Sequence, residues 1–297
     1  MLWIPITIGA ASLQVARNAL QRGLLTGAGP WGATLVRFLF GLPFSAIFVA
    51  VAWTLTRAPH LAFGAAFWIA TVVGGAAQIT ATAAMLVSMR RSSFALGTAF
   101  QQSSIPMAAV MGLVFGEHLH PGAWAGIALV TVGLFALAWP KKTQEGGQDA
   151  PRDWSAALLG LVAGTGFAIS SNAYRQAALG LDHAHPVLAA QITVFTVQAM
   201  QSAALVTWLS LRDPRALWVA VTAWRSSLPA GFFGAAASGL WFTAFAMSPA
   251  GPVRAVGVVE MPIAAMAGRR LFAERLSAWQ IGAALVAAVG VVLAAVG

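Results

Sequence analysis

Apolar runs of about 20 residues or more recur from one end of this chain to the other, each cut off by a short cluster of Pro, Gly and charged residues. A helix of that length matches the hydrocarbon thickness of a bilayer. Inside lipid only helices and closed barrels satisfy their own backbone, and these runs are too long and unbroken for barrel strands. The expectation is therefore an all-α membrane protein, multi-pass, with the lipid bilayer as its first partner. Composition agrees: 59% of the 297 residues are hydrophobic and 8% are charged, against about 25% charged in an ordinary soluble domain.

The breaks predict ten transmembrane helices, at about 2–22, 30–55, 62–88, 92–115, 121–139, 154–176, 186–211, 226–247, 252–272 and 277–296. The first run lacks a basic leader and carries Gln14, Arg17 and Asn18, so it is expected to be retained and not cleaved. One polar, Gly-rich stretch, "KKTQEGGQDAPRD" at 141–153, reads as a linker. It divides the chain into a first five-helix repeat, 1–140, and a second, 154–297.

The two parts are copies. "FGEHLHPGAWAGIALVTVG" from Phe115 to Gly133 aligns with "FAERLSAWQIGAALVAAVG" from Phe272 to Gly290, pairing Glu117 with Glu274 at an offset of 157. "ARNALQRG" (Ala16 to Gly23) aligns with "SSNAYRQA" (Ser170 to Ala177), pairing Asn18 with Asn172, and "GGAAQ" (Gly74 to Gln78) with "GAAAS" (Gly234 to Ser238). Five helices per copy is an odd number, so the second copy enters the membrane from the opposite side. Inverted-topology five-helix repeats are the architecture of alternating-access transporters, with the substrate site at the repeat interface. Of the Lys and Arg residues outside the spans, twelve fall on odd-numbered connections and two on even ones. This places the odd connections in the cytoplasm and both termini outside.

The formal net charge is +9, but the basic residues sit at the ends of apolar runs and form no stripe interleaved with aromatics, so no nucleic-acid partner is expected. Without cysteine there is no disulfide or thiolate chemistry. Phosphate-loop, Gly-x-Ser-x-Gly and His-Glu-x-x-His motifs are all absent, so no enzyme is expected. His118 with His120, and His183 with His185, fall at span ends without supporting carboxylates and read as solvated loops; neither a metal nor a cofactor is expected.

An ionisable group inside a span is a functional hypothesis in itself. Glu260 is the one acid well inside a span, with Pro262 two residues on. It has two uses, as a proton-coupling site or as the anionic partner of a substrate ammonium, and one bland alternative, a structural pair with Arg17, Arg37 or Arg254. Arg254 lies near its helix start and is expected to snorkel to the headgroups, while Arg17 and Arg37 lie deeper, where either could receive a substrate carboxylate or neutralise Glu260. Uncharged polar residues share helix faces: Gln14 with Asn18, Gln78 with Thr82, Gln101 with Ser104. Asn172 and Ser238 take the repeat-equivalent places. Each alone reads as interhelical glue, but as a set over both copies they suggest a shared cavity. Trp241, with Ser238 three residues before and Phe245 four after, forms a polar and aromatic stripe that would either pack on lipid or a neighbouring helix or wall a ring-shaped ligand.

The duplication, the "GE-x-L" and "AE-x-L" turns at Gly116–Leu119 and Ala273–Leu276, and the Gly-rich helices that follow each turn resemble the drug/metabolite transporter superfamily, in its ten-helix branch of two fused EamA-type modules. Within that branch the chain is similar to the YddG-type bacterial aromatic amino-acid exporters. The resemblance implies an inner-membrane secondary transporter that exports small metabolites, aromatic and other large neutral amino acids first, through a central cavity. Broader multidrug or amphipathic amine efflux is the alternative, and a non-transporting scaffold or channel the alternative of another class. The small multidrug branch carries a glutamate in its first helix, which this chain lacks, and many ten-helix members have cytoplasmic termini, unlike the charge count here. The sequence says nothing of oligomeric state.

Overall fold

The computed structural model describes residues 1–91, 101–138, 154–261, 263 and 278–296. They form eleven α-helices: α1 (Trp3–Leu39), α2 (Leu42–Leu55), α3 (Ala65–Arg91), α4 (Ser104–Val114), α5 (Pro121–Ala138), α6 (Trp154–Leu181), α7 (Pro186–Arg212), α8 (Pro214–Thr222), α9 (Trp224–Met247), α10 (Ala250–Val256) and α11 (Ala278–Val296), with a 3₁₀ turn at Gly257–Val259. Among the described residues there is no strand. Five stretches are long and apolar enough to cross a membrane: Ala28–Leu55, Ala65–Ser88, Ser155–Leu181, Pro186–Arg212 and Trp224–Met247. Shorter apolar helices accompany them. The protein is all-α and membrane-embedded.

Several expected boundaries shift for identifiable reasons. The first two expected spans join as α1, which turns at Gly29, where φ is +66°. Glycine enters this left-handed region without a Cβ clash, and Pro30 fixes the next residue without needing a backbone donor. The expected 30–55 helix breaks at Phe40 and Gly41, ahead of Pro43. A Cβ on Gly41 would lie 2.7 Å from the Arg37 carbonyl and 3.2 Å from Gln198 Oε1, so the break coincides with close packing on α7. Between α7 and α9 the chain forms α8 where a loop was expected. Asp213 caps it by accepting from the Ala216 N–H at 3.0 Å, Ala216 and Ala220 are buried, and Trp218 is exposed. The expected 252–272 helix begins as α10 and tightens at Gly257. Past Met261, apart from residue 263, its remainder, with Pro262, lies outside the described residues, as do the 141–153 linker and residues 92–100 of the expected fourth span.

Burial is arranged for lipid. Ile47, Val51, Ile69, Val132, Leu158 and Val292 are more than half exposed, while Arg17, Arg37, Gln78, Gln101, Gln201 and Glu260 are buried. A continuous apolar exterior suits hydrocarbon, and the polar residues face inward where partners exist.

The most extensive helix pairings are α3 with α6, α1 with α9, and α5 with α11. Small residues allow the close approaches. A Cβ on Gly290 would sit 2.7 Å from the Gly126 carbonyl, and one on Gly133 2.8 Å from the Ala283 carbonyl. Low-numbered residues of α5 thus meet high-numbered residues of α11, so the two run antiparallel. At one end of this seam the Trp279 indole donates to the Ala136 carbonyl at 2.9 Å. In the α3–α6 pair, a Cβ on Gly166 would lie 2.9 Å from the Ala77 carbonyl, and Ser88 donates to the Ala156 carbonyl at 2.8 Å, so this pair is antiparallel too.

Candidate functional site

Helices α1, α3, α6, α9 and α10 and the chain just before α4 line a small cavity. Of the residues expected to bind substrate, Gln78, Gln101, Ser238, Trp241 and Phe245 line it. Gln14, Arg37, Phe167 and Ser170 line it as well, with Tyr174, Phe242 and Arg254 completing the wall.

Arg254 is half-buried and turns onto the cavity wall. Its Nε and Nη2 donate to Ser171 Oγ at 2.8 and 2.6 Å, and Nη2 also donates to the Phe167 carbonyl at 3.1 Å. The guanidinium carbon stands 5.3 Å from the Trp241 ring centroid, 5.4 Å from Phe167 and 5.5 Å from Phe245. Ring faces carry negative quadrupole density, so a triple aromatic cage stabilises a cation removed from water. Trp241 and Phe245, one helical turn apart on α9, stack at 5.6 Å.

Arg37 is 2% exposed. Its Nη1 donates to Thr82 Oγ1 at 3.2 Å and its Nη2 to Ser238 Oγ at 3.4 Å, while Nε has no partner. Thr82 therefore stands behind Arg37 and does not itself line the cavity. The single tyrosine, Tyr174, places its hydroxyl 2.8 Å from the Gly74 carbonyl and 3.0 Å from Gln78 Oε1, and its ring stacks on Phe242 at 4.1 Å. Gln78 Oε1 also accepts from Gln201 Nε2 at 2.9 Å.

Glu260 is 4% exposed and does not line the cavity. Gln14 Nε2 donates to one carboxylate oxygen at 2.5 Å and Gln102 Nε2 donates to the other. Among the described residues, no carboxylate makes an ion pair with Arg17, Arg37 or Arg254; the two ion pairs present are Glu117–Arg175 and Asp182–His185. Arg17 donates from Nε and Nη2 to its neighbour Asn18 at 3.2 and 2.7 Å, which holds Asn18 behind the wall. Asn172 bridges helices, its Nδ2 donating to the Ala108 and Ala168 carbonyls at 3.1 Å each, and Ser104 is buried on α4 outside the lining. Sequence reasoning raised Arg37 as a receiver of a substrate carboxylate, but it assigned Arg254 to the headgroups and missed Tyr174, although a lone tyrosine within a span was a readable signal. No group of His, Asp and Glu among the described residues is arranged to hold a metal ion.

At one end of the bundle, Glu117 pairs with Arg175, whose Nη1 donates to the Phe245 carbonyl at 2.5 Å. Nearby connections gather around Asp182. Its carboxylate accepts from the N–H groups of His60, Ala184 and His185 at 3.2, 3.0 and 3.2 Å and lies 2.9 Å from His185 Nδ1. Burial opposes its charge, but the hydrogen bonds from the His185 ring and from the His60 and Ala184 backbone outweigh burial and hold the carboxyl below the usual aspartate value.

No protein-family profile matches the chain. No curated protein matches it either. Its fold is similar to that of a solved crystal structure, with a TM-score of 0.69 over 99% of this chain and 96% of that one, at 16% identity. A likeness at that identity is one of fold alone. Fold and site together define an all-α, membrane-embedded protein with a central cavity walled by aromatic rings and arginine.

Proposed function

We propose that this protein is a secondary transporter of small organic solutes, with aromatic and other large neutral amino acids as the reference cargo, working by alternating access between two inverted five-helix halves. One observation carries the reading: the cavity lies between the sequence halves, with Gln14, Arg37, Gln78 and Gln101 on one side and the remaining lining residues on the other. The helix pairings support the duplication. Exchanging the halves turns the α1–α9 pair into the α6–α3 pair and returns α5–α11 to itself. The repeat-equivalent helices α5 and α11 are antiparallel, as inverted halves require.

Ring-bearing cargo is supported by Trp241, Phe242, Phe245, Phe167 and Tyr174 in the wall. Amphipathic amine efflux loses its ground in Glu260, whose carboxylate is engaged by two glutamines away from the cavity. A scaffold has no use for a lined cavity between mirrored halves. The remaining parts of the proposal are a bacterial-type inner membrane, both termini outside and ten spans in all.

The test is counterflow: uptake of radiolabelled phenylalanine into proteoliposomes preloaded with unlabelled phenylalanine, against protein-free vesicles. Saturable counterflow is expected. Its absence with cooperatively melting protein, for phenylalanine and for other large neutral amino acids, overturns the reading.

A further inference from the structure

We infer that the cavity selects net-anionic cargo, an aromatic carboxylate without an ammonium group ahead of the matching amino acid, with Arg37 and Trp241 as the carboxylate receptors. This rests on the transporter reading above and narrows its substrate class.

The first ground is charge. Arg17, Arg37 and Arg254 are buried or partly buried around the cavity, and Glu260 is the one acid within the same core among the described residues. Arginine keeps its proton in any protein setting. None of the three is paired with a carboxylate among the described residues, so the core carries an excess of cation in a region that screens poorly. An entering anion relieves this excess and an ammonium adds to it.

The second ground is hydrogen bonding. Among the buried side-chain atoms of lining residues that lack a partner, two are donors, Arg37 Nε and Trp241 Nε1, and one is an acceptor, Gln101 Oε1. Two donors suit the two oxygens of a carboxylate. An ammonium needs three acceptors, and Gln78 Oε1 is already engaged by Tyr174 and Gln201. The aromatic wall accounts for the rest of the ligand, an apolar ring.

Three probes share one skeleton and differ in charge: 3-phenylpropionate, phenylalanine and phenethylamine. Equilibrium binding to the purified full-length protein at pH 7.5 compares them directly. The expected result is half-saturation by 3-phenylpropionate at a concentration at least tenfold below that for phenylalanine, with no displacement by phenethylamine. Arg37→Gln removes that preference and Arg37→Lys keeps part of it. Should Arg37→Gln fail to melt cooperatively, Trp241→Phe deletes one donor and keeps a ring, and it is expected to weaken 3-phenylpropionate and phenylalanine alike, severalfold; unchanged binding of 3-phenylpropionate removes Trp241 as a receptor and overturns the inference. Equal or tighter binding of phenylalanine, any tight binding of phenethylamine, or binding of none of the three overturns the inference. Phenylalanine counterflow is scored separately, so the transporter reading survives the first of these outcomes.

Discussion

The Gln14 amide on α1 donates to the Glu260 carboxylate at 2.5 Å, joining two residues 246 positions apart through the middle of the bundle. Gln102 holds the other oxygen. Glu260→Ala strands both amides, and each buried unsatisfied donor costs about 1–3 kcal/mol. Glu260→Gln can re-form both contacts by amide rotation and is expected to cost about 1 kcal/mol, read as a small drop in melting temperature. If the carboxylate takes part in coupling, Glu260→Gln also lowers transport or flattens its pH dependence. Unchanged counterflow at every pH tested removes the charge from the mechanism.

Gly257 lies under the Trp241 indole, where an added Cβ would overlap the ring edge. Overpacking of this kind costs roughly 1–3 kcal/mol. Gly257→Ala is expected to destabilise the protein by that amount and to weaken ligand binding by displacing Trp241 from its stack on Phe245. Adding Trp241→Phe makes room. In a double-mutant cycle it should recover most of the lost stability, and purely additive effects would show that the two residues do not share the space.

The Glu117–Arg175 pair and the Phe245 carbonyl tie both halves together above the cavity. The chain has no cysteine, so a thiol introduced at the lining residue Ser170 is a clean reporter. Glu117→Gln is expected to speed labelling of Ser170→Cys by an impermeant maleimide about fivefold, the shift produced by roughly 1 kcal/mol of lost pairing. Gly112→Ala should act in the same direction, since its Cβ would come within 2.6 Å of Glu117 Oε2. Labelling rates unchanged in both variants would show that this tie does not close the cavity.

The Asp182 carboxyl is held below its ordinary value, so the fold favours its charged form. The stabilisation is fully present above the unfolded value of about 3.9 and is lost as pH falls through the lower folded value. Asp182→Asn should therefore lower the melting temperature at neutral pH, and the gap from the unaltered protein should close as pH drops through the acid range. A gap that stays constant down to pH 2 would mean that the charge contributes nothing there.

Much of this arrangement can be read along the chain. The Gly–Pro turn at residues 29 and 30, the apolar spans and the Ser238–Trp241–Phe245 stripe follow from local chemistry and helical spacing. Rotation of one helix against another does not. Hydropathy locates a span along the membrane normal but leaves its azimuth open, so nothing in the order of residues selected Gln14 and Gln102 over three arginines as the partners of Glu260. Arg254 likewise reads as a headgroup residue by its distance from a helix end. Its place on the cavity wall depends on Phe167, Trp241 and Phe245 converging from α6 and α9, which is visible only in three dimensions.

The seam between α5 and α11 is made of glycine and alanine backbone contacts, with Trp279 hydrogen-bonded to Ala136 at one end. At its closest approaches no bulky side chain stands between the two backbones. Small residues meeting across it can roll by an ångström or two without breaking a polar bond, while the indole pins one end against sliding. Mechanically that is a bearing with a thrust stop: the two helices can turn against each other but not slide.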